Sequence, residues 1–196
     1  MSHWLYHTDG LILADWPSGD TGRRFDIFTD RLGLIAAQAI GVREIKSKLR
    51  YHLQILAAVQ ISLVRGRGGW RIVYADTSPF SLTRAKFNLA KLAAAARCLK
   101  LLGRVVPAAG RRPRVWREIS GAYQFLARAG LTEAELADFE LLTIWRILTA
   151  LGYGQVLPTL VPFAAAPWSK KLIIAFGLER QAALLIVEQA LYHSHL

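Results

Sequence analysis

Cysteine is nearly missing from this chain: its 196 residues include one, Cys98, with one methionine and five histidines. A disulfide framework and a cysteine-rich zinc site are both excluded, and a reduced, intracellular setting fits. Cys98 lies in the apolar stretch Leu92 to Leu102, with no acid or histidine near it in sequence. It is expected as a small buried hydrophobe rather than a nucleophile. Long apolar runs are missing too. Leu53 to Val64 is short, and Leu172 to Val187 is broken by Gly177, Glu179 and Arg180, against the roughly 20 residues a membrane span needs. The opening Met1-Ser2-His3-Trp4-Leu5-Tyr6, followed by Asp9, has neither the charged nor the apolar region of a signal peptide. No membrane contact and a cytoplasmic location are therefore expected.

Catalytic constellations are also lacking. No Ser-His-Asp order, nucleophile elbow or carboxylate pair can be assembled, and Ser18-Gly19-Asp20-Thr21-Gly22 has no lysine for a phosphate-binding loop. His3 and His7, and His193 and His195, are helically or closely spaced pairs without thiol or carboxylate companions, whereas a metal site needs three or four ligands. A non-enzymatic protein without metal or cofactor is expected.

The most telling absence is of acid. Between Arg84 and Arg117 there are ten basic side chains and no Asp or Glu. The first 77 residues carry ten Lys or Arg against seven Asp or Glu, a balance of +3, so +8 of the net +11 lies from Ser78 onward. Fixed positive charge concentrates polyanions, of which nucleic acid is the commonest in a cell; the alternative is a solvated face on a basic protein. With 53% hydrophobic and 20% charged residues the chain has the apolar surface to build a core and is not disordered.

Two periodicities divide it. Leu11 to Leu13, Phe25 to Phe28, Leu34 to Ala39, Leu56 to Val64 and Trp70 to Tyr74 are strand-length runs. Turn chemistry separates them at Pro17 to Asp20, Asp30 to Gly33 and Arg65 to Gly69. Five short strands predict a small barrel, with a five-stranded OB-fold as the leading candidate; an SH3-like barrel gives the same pattern. After Thr77 the signal is helical. One helix, capped by Ser81 or Thr83, is expected from Lys86 to Leu102, a second from Trp116 to Ala129, a third from a Thr132 cap to Gly152, and a last from Lys170 to Tyr192. Pro158, Pro162 and Pro167 mark a loop. The expected class is α+β: an OB-fold β-barrel over 1–78 followed by an all-helical domain over 79–196.

The order of these parts resembles the bacterial recombination mediator family RecO. Phe139-Glu140-Leu141-Leu142 through Leu148 to Leu151-Gly152-Tyr153-Gly154 is similar to that family's helix and its glycine stop. Phe28-Thr29-Asp30 with Gly33, then Gly41-Val42-Arg43 followed by Lys46, Lys48, Leu49, Arg50 and Leu53-Gln54, resembles its turn and basic loop, and Arg65-Gly66-Arg67-Gly68 its glycine-rich hairpin. The chain departs from the pattern at Ile40, where members often carry a basic residue before the glycine. It departs again over Gln155 to Trp168, which holds three prolines and no cysteine where many members hold a four-cysteine zinc element. It is also shorter than typical members, and so reads as a short form lacking the zinc-binding cysteines.

Phosphate contacts are expected from Arg43, Lys46, Lys48 and Arg50 in the loop, Arg65 and Arg67 in the hairpin, Arg84, Lys91 and Arg97 along a helix stripe, and Arg111, Arg112 and Arg114 in the following loop. Six to ten such contacts would lower affinity about a thousandfold between roughly 50 and 200 mM salt. Tyr51, His52, Trp70 and Tyr74 are either base-stacking surfaces or packing residues. The resemblance implies binding of single- and double-stranded DNA, strand annealing, help in loading recombinase onto SSB-coated DNA, and RecR and SSB as partners. Lys170, Lys171 and Arg180 around Phe176 then form either a basic-rimmed groove for the SSB C-terminal tail or the start of a helix packed on the bundle. The rival reading is a basic non-enzymatic scaffold for RNA or an acidic protein.

Overall fold

The computed structural model describes residues 4–84, 88–108, 110–153 and 157–193. Two compact units emerge: residues 1–85 with 107–113, and 86–106 with 114–196.

The first unit is a closed barrel of β1 (Leu5–Ser18), β2 (Gly22–Thr29), β3 (Gly33–Ala39), β4 (Ala58–Gly66) and β5 (Gly69–Thr77), with a one-turn helix α1 (Leu49–His52) between β3 and β4. The order around the barrel is β1-β2-β3-β5-β4. All ladders are antiparallel except β3 to β5, paired in parallel at Ala37–Trp70 and Gln38–Arg71. This is the expected OB-fold barrel.

Alternation explains the wall. Along β3, Ile35, Ala37 and Ala39 are buried while Gln38 is exposed, and the inward residues of all five strands join Val42, Leu53 and Ala57 in one core. The first strand is far longer than Leu11 to Leu13. Its outer half pairs Leu5 to Asp9 with Val64 to Gln60, and a bulge between Ile12 and Ala14 lets the rest follow β2. A left-handed turn at Gly33 (φ 72°) opens β3; a Cβ there would meet the Gly110 carbonyl oxygen, and an isolated bridge joins Leu34 to Ala108. The segment 107–113 is thereby laid against the barrel.

The second unit comprises α2 (Leu89–Val105), α3 (Pro113–Arg128), α4 (Glu133–Leu151), α5 (Lys170–Gly177) and α6 (Arg180–His193), with a 3-10 segment at Pro158–Phe163. Asn88, rather than Ser81 or Thr83, caps α2, its side chain accepting from the Lys91 N–H. The Thr132 hydroxyl and Glu135 carboxylate form the capping box of α4, and Gly152 (φ 88°) ends it as the glycine stop requires. Phe139, Leu142, Trp145 and Leu148 bury one face of α4. The single last helix expected from Lys170 to Tyr192 is in fact two, broken at Leu178. Gly177 explains why the chain passes so close there: a Cβ on it would lie 2.8 Å from an Asp138 carboxylate oxygen. Cys98 is buried, and burial pushes its thiol far above the ordinary range, as suits a packing residue. No helix among the described residues is long and apolar enough to cross a membrane.

Candidate nucleic-acid interface

The β3–β4 connection is built as an anchored rim. Gly41 turns the chain with φ 66°, Val42 plunges into the barrel core at 2% exposure, and the Arg43 N–H donates to the Thr21 carbonyl at 2.9 Å. Leu49 packs against the core and Leu53 closes it. Between these apolar anchors Arg43, Lys46, Lys48 and Arg50 are all exposed. The Arg43 guanidinium donates to the neutral Asp20 carbonyl at 3.1 Å and keeps its charge; Lys46, Lys48 and Arg50 form no ion pair among the described residues. Arg50 lies 5.6 Å from the centre of the exposed Tyr51 ring. His52 is occupied, its Nδ1 accepting from the Thr77 N–H at 3.1 Å, which fastens α1 to β5.

At the β4–β5 hairpin Arg65 and Arg67 are exposed, and Arg65 sits 5.1 Å over the Trp70 ring, which meets Tyr6 edge-on at 5.0 Å. Trp70 packs partly against the core, whereas Tyr74 is 56% exposed. Arg111 donates to the Asp30 carbonyl at 3.2 Å and stands 3.6 Å from its carboxylate, while Arg112 and Arg114 are exposed.

The helical unit is less free in charge than its sequence implies. Arg97 forms a forked pair with Glu140, Nε at 2.7 and 2.8 Å and a terminal nitrogen at 2.7 Å. Lys91 is half-buried, and the Arg84 side chain lies outside the described residues. Lys170 pairs with Glu135 at 3.0 Å and donates to the Gly130 carbonyl, and Arg180 pairs with Asp138 at 2.7 Å. Lys171 is exposed. Phe176 is fully buried beside Phe163 and Trp145, ring centres 5.4 and 6.3 Å away. It is a core residue and cannot line an open groove. The pairing partners stand about forty residues away in sequence, beyond the reach of local patterning.

Sequence reading passed over Arg146, the one buried cation among the described residues. It is 3% exposed, donates to the Phe163 carbonyl at 2.8 and 2.5 Å and to the Ala166 carbonyl at 2.7 Å, and faces Glu118 at 3.5 Å. Its guanidinium lies 4.4 Å over the Trp168 ring. Burial pulls its proton affinity down and the Glu118 carboxylate restores part of it. The signal was there: one arginine inside the apolar run Leu141 to Leu148 must find partners or be expelled. The stretch it holds is the one without the family's zinc cysteines, so the donor set for that metal is not present. Among the described residues no group of three or more His, Cys, Asp or Glu is placed to hold a metal ion.

Comparison with known proteins agrees with the barrel's architecture. Residues 1–75 match the family model described as Recombination protein O N terminal. The DNA repair protein RecO of Gloeothece citriformis is 35% identical over 72 residues, covering 37% of this chain and 25% of the relative. That of Trichodesmium erythraeum is 38% identical over 90 residues, 46% of this chain and 31% of the relative. That of Roseiflexus sp. is 25% identical over 150 residues, 76% of this chain and 50% of the relative. The chain thus spans half or less of the length of these curated relatives, and the RecO resemblance read from its motifs is borne out.

Proposed function

We propose, for a chain whose residues 1–75 match the family model described as Recombination protein O N terminal, that it binds DNA through the phosphate backbone and acts in recombinational repair. Its activity is non-enzymatic: it holds complementary strands near each other, offsets their repulsion so that they anneal, and assists loading of recombinase onto SSB-coated DNA, with RecR and SSB as partners. The β3–β4 connection carries this reading. Its Val42, Leu53 and Ala57 are buried in the barrel core and Leu49 packs against it, while its four cations are left facing solvent. A phosphate contact needs a charge that no carboxylate has neutralised, and among the described residues none pairs with these four. Arg65, Arg67 and Arg112 extend the same role on the barrel unit, and Arg114 adds an exposed cation at the start of the helical one. Arg97, already forked onto Glu140, contributes less.

Annealing of complementary oligonucleotides tests the activity. The protein should accelerate pairing above the spontaneous rate, and the Arg43→Gln, Lys46→Gln, Lys48→Gln, Arg50→Gln variant should lose most of that gain. No acceleration by the unaltered chain refutes the reading. Equal competition by structured RNA would instead favour a general basic scaffold.

A further inference from the structure

Between the β1–β2 end of the barrel and the β3–β4 connection lies a cavity of about 520 Å3, within the roughly 300 to 1,000 Å3 of small-ligand sites. Its chemistry is divided. The floor is apolar, formed by Phe25, Val42 and Leu53, none more than 5% exposed. Arg43 and Arg50 stand at the rim, neither paired with a carboxylate among the described residues, while the cavity's one acid, Asp15, is already bound to Arg23 at 2.6 Å.

A phosphate cannot occupy the floor, because its water would be stripped with nothing to replace it. A purely apolar ligand leaves the guanidinium rim unused. What matches both parts is a flat, weakly polar ring joined by a short link to an anionic group that a guanidinium grips with two hydrogen bonds. An unstacked nucleotide within a strand has this form. In a duplex the base must first be unpaired and flipped out, whereas in a single strand it is nearly free to enter.

We propose that this cavity takes one unstacked base of a single strand, with the flanking phosphates on Arg43 and Arg50, and that it makes the barrel prefer single over double strands. The inference rests on the phosphate-binding reading above and adds the strand preference to it.

The test uses the full chain with two probes, a short oligothymidylate carrying one central 2-aminopurine and a duplex of equal length. Ile55 lies at the cavity rim and is 49% exposed, so Ile55→Trp fills the space without adding charge or disturbing the core; Gln54→Trp is the second variant, and circular dichroism checks that both fold. Wild type should bind the single strand about tenfold tighter than the duplex, with a change in 2-aminopurine emission. Both variants should bind the single strand only as well as the duplex, at an unchanged salt dependence. Variants that bind the single strand like wild type, or a wild type indifferent to strandedness but steeply salt-dependent, overturn the cavity proposal and leave phosphate binding standing. A wild type that binds neither probe refutes both. An acidic peptide with an aromatic residue, bound by wild type and lost in Ile55→Trp while oligothymidylate affinity is unmoved, would assign the cavity to peptide instead.

Discussion

Replacing Arg146 with methionine keeps the unbranched stem of the side chain and removes its charge and its five donors. The structure sets the cost. The carbonyls of Phe163 and Ala166 lose their donors, and an unsatisfied acceptor costs about 1 kcal/mol each at the low end, which applies because both residues are only half-buried. Glu118, 8% exposed, loses the guanidinium at 3.5 Å. Its other neighbour, Arg117, is exposed, so a further 1 kcal/mol or so is expected. The sum is about 3 kcal/mol, the lower edge for breaking a buried ion pair. Urea unfolding followed by tryptophan fluorescence measures it: with a slope of about 2 kcal/mol per molar, the transition of the helical unit moves down by about 1.5 M. Arg146→Lys keeps the charge but not the fork and should recover less than half. A midpoint within about 0.3 M of wild type refutes the reasoning, because it would mean the carbonyls and Glu118 had never depended on the guanidinium.

Other outcomes follow from single contacts. Gly33→Ala forces a side chain into a left-handed position against the Gly110 carbonyl and should destabilise the barrel by about 2 kcal/mol or more, read as a lower thermal midpoint; an unchanged midpoint contradicts the close approach of 107–113. Thr132→Ala removes the α4 cap and should cost about 1 kcal/mol in the same assay. The Glu135 carboxyl is held below its ordinary range, first by the Thr132 backbone N–H and then by Lys170. Its folded pKa is therefore the lower one, and the stability it contributes is present above the unfolded value near 4.5 and lost as pH falls through the folded value. Glu135→Gln should flatten that part of the acid-unfolding profile; an identical profile counts against the capping box.

How far the sequence announced all this depends on whether the cause was local. Strand alternation in residues 33–39, the cap at Thr132 and the stop at Gly152 are written within a few residues, and the structure holds each of them. The first half of β1 was not visible, since Leu5 to Asp9 does not alternate and takes its conformation from a partner about 55 residues away. The break between α5 and α6 was hidden for the same reason: the helix-forming run continues, and the close approach of Gly177 to Asp138 involves another helix. At the candidate interface the basic loop could be read directly, because exposed charge between apolar anchors is a pattern. The neutralisation of Arg97, Lys170 and Arg180 could not, since Glu140, Glu135 and Asp138 are brought to them only by helix packing.

The salt dependence of single-strand affinity tests the central claim most directly. If Arg43, Lys46, Lys48 and Arg50 each displace one counterion from phosphate, they together contribute a slope of about −3 in log affinity against log salt, or roughly fiftyfold between about 50 and 200 mM. The account predicts that changing all four to glutamine lowers the affinity and reduces the slope by about that amount. A variant that binds as wild type does, at the same slope, would contradict it.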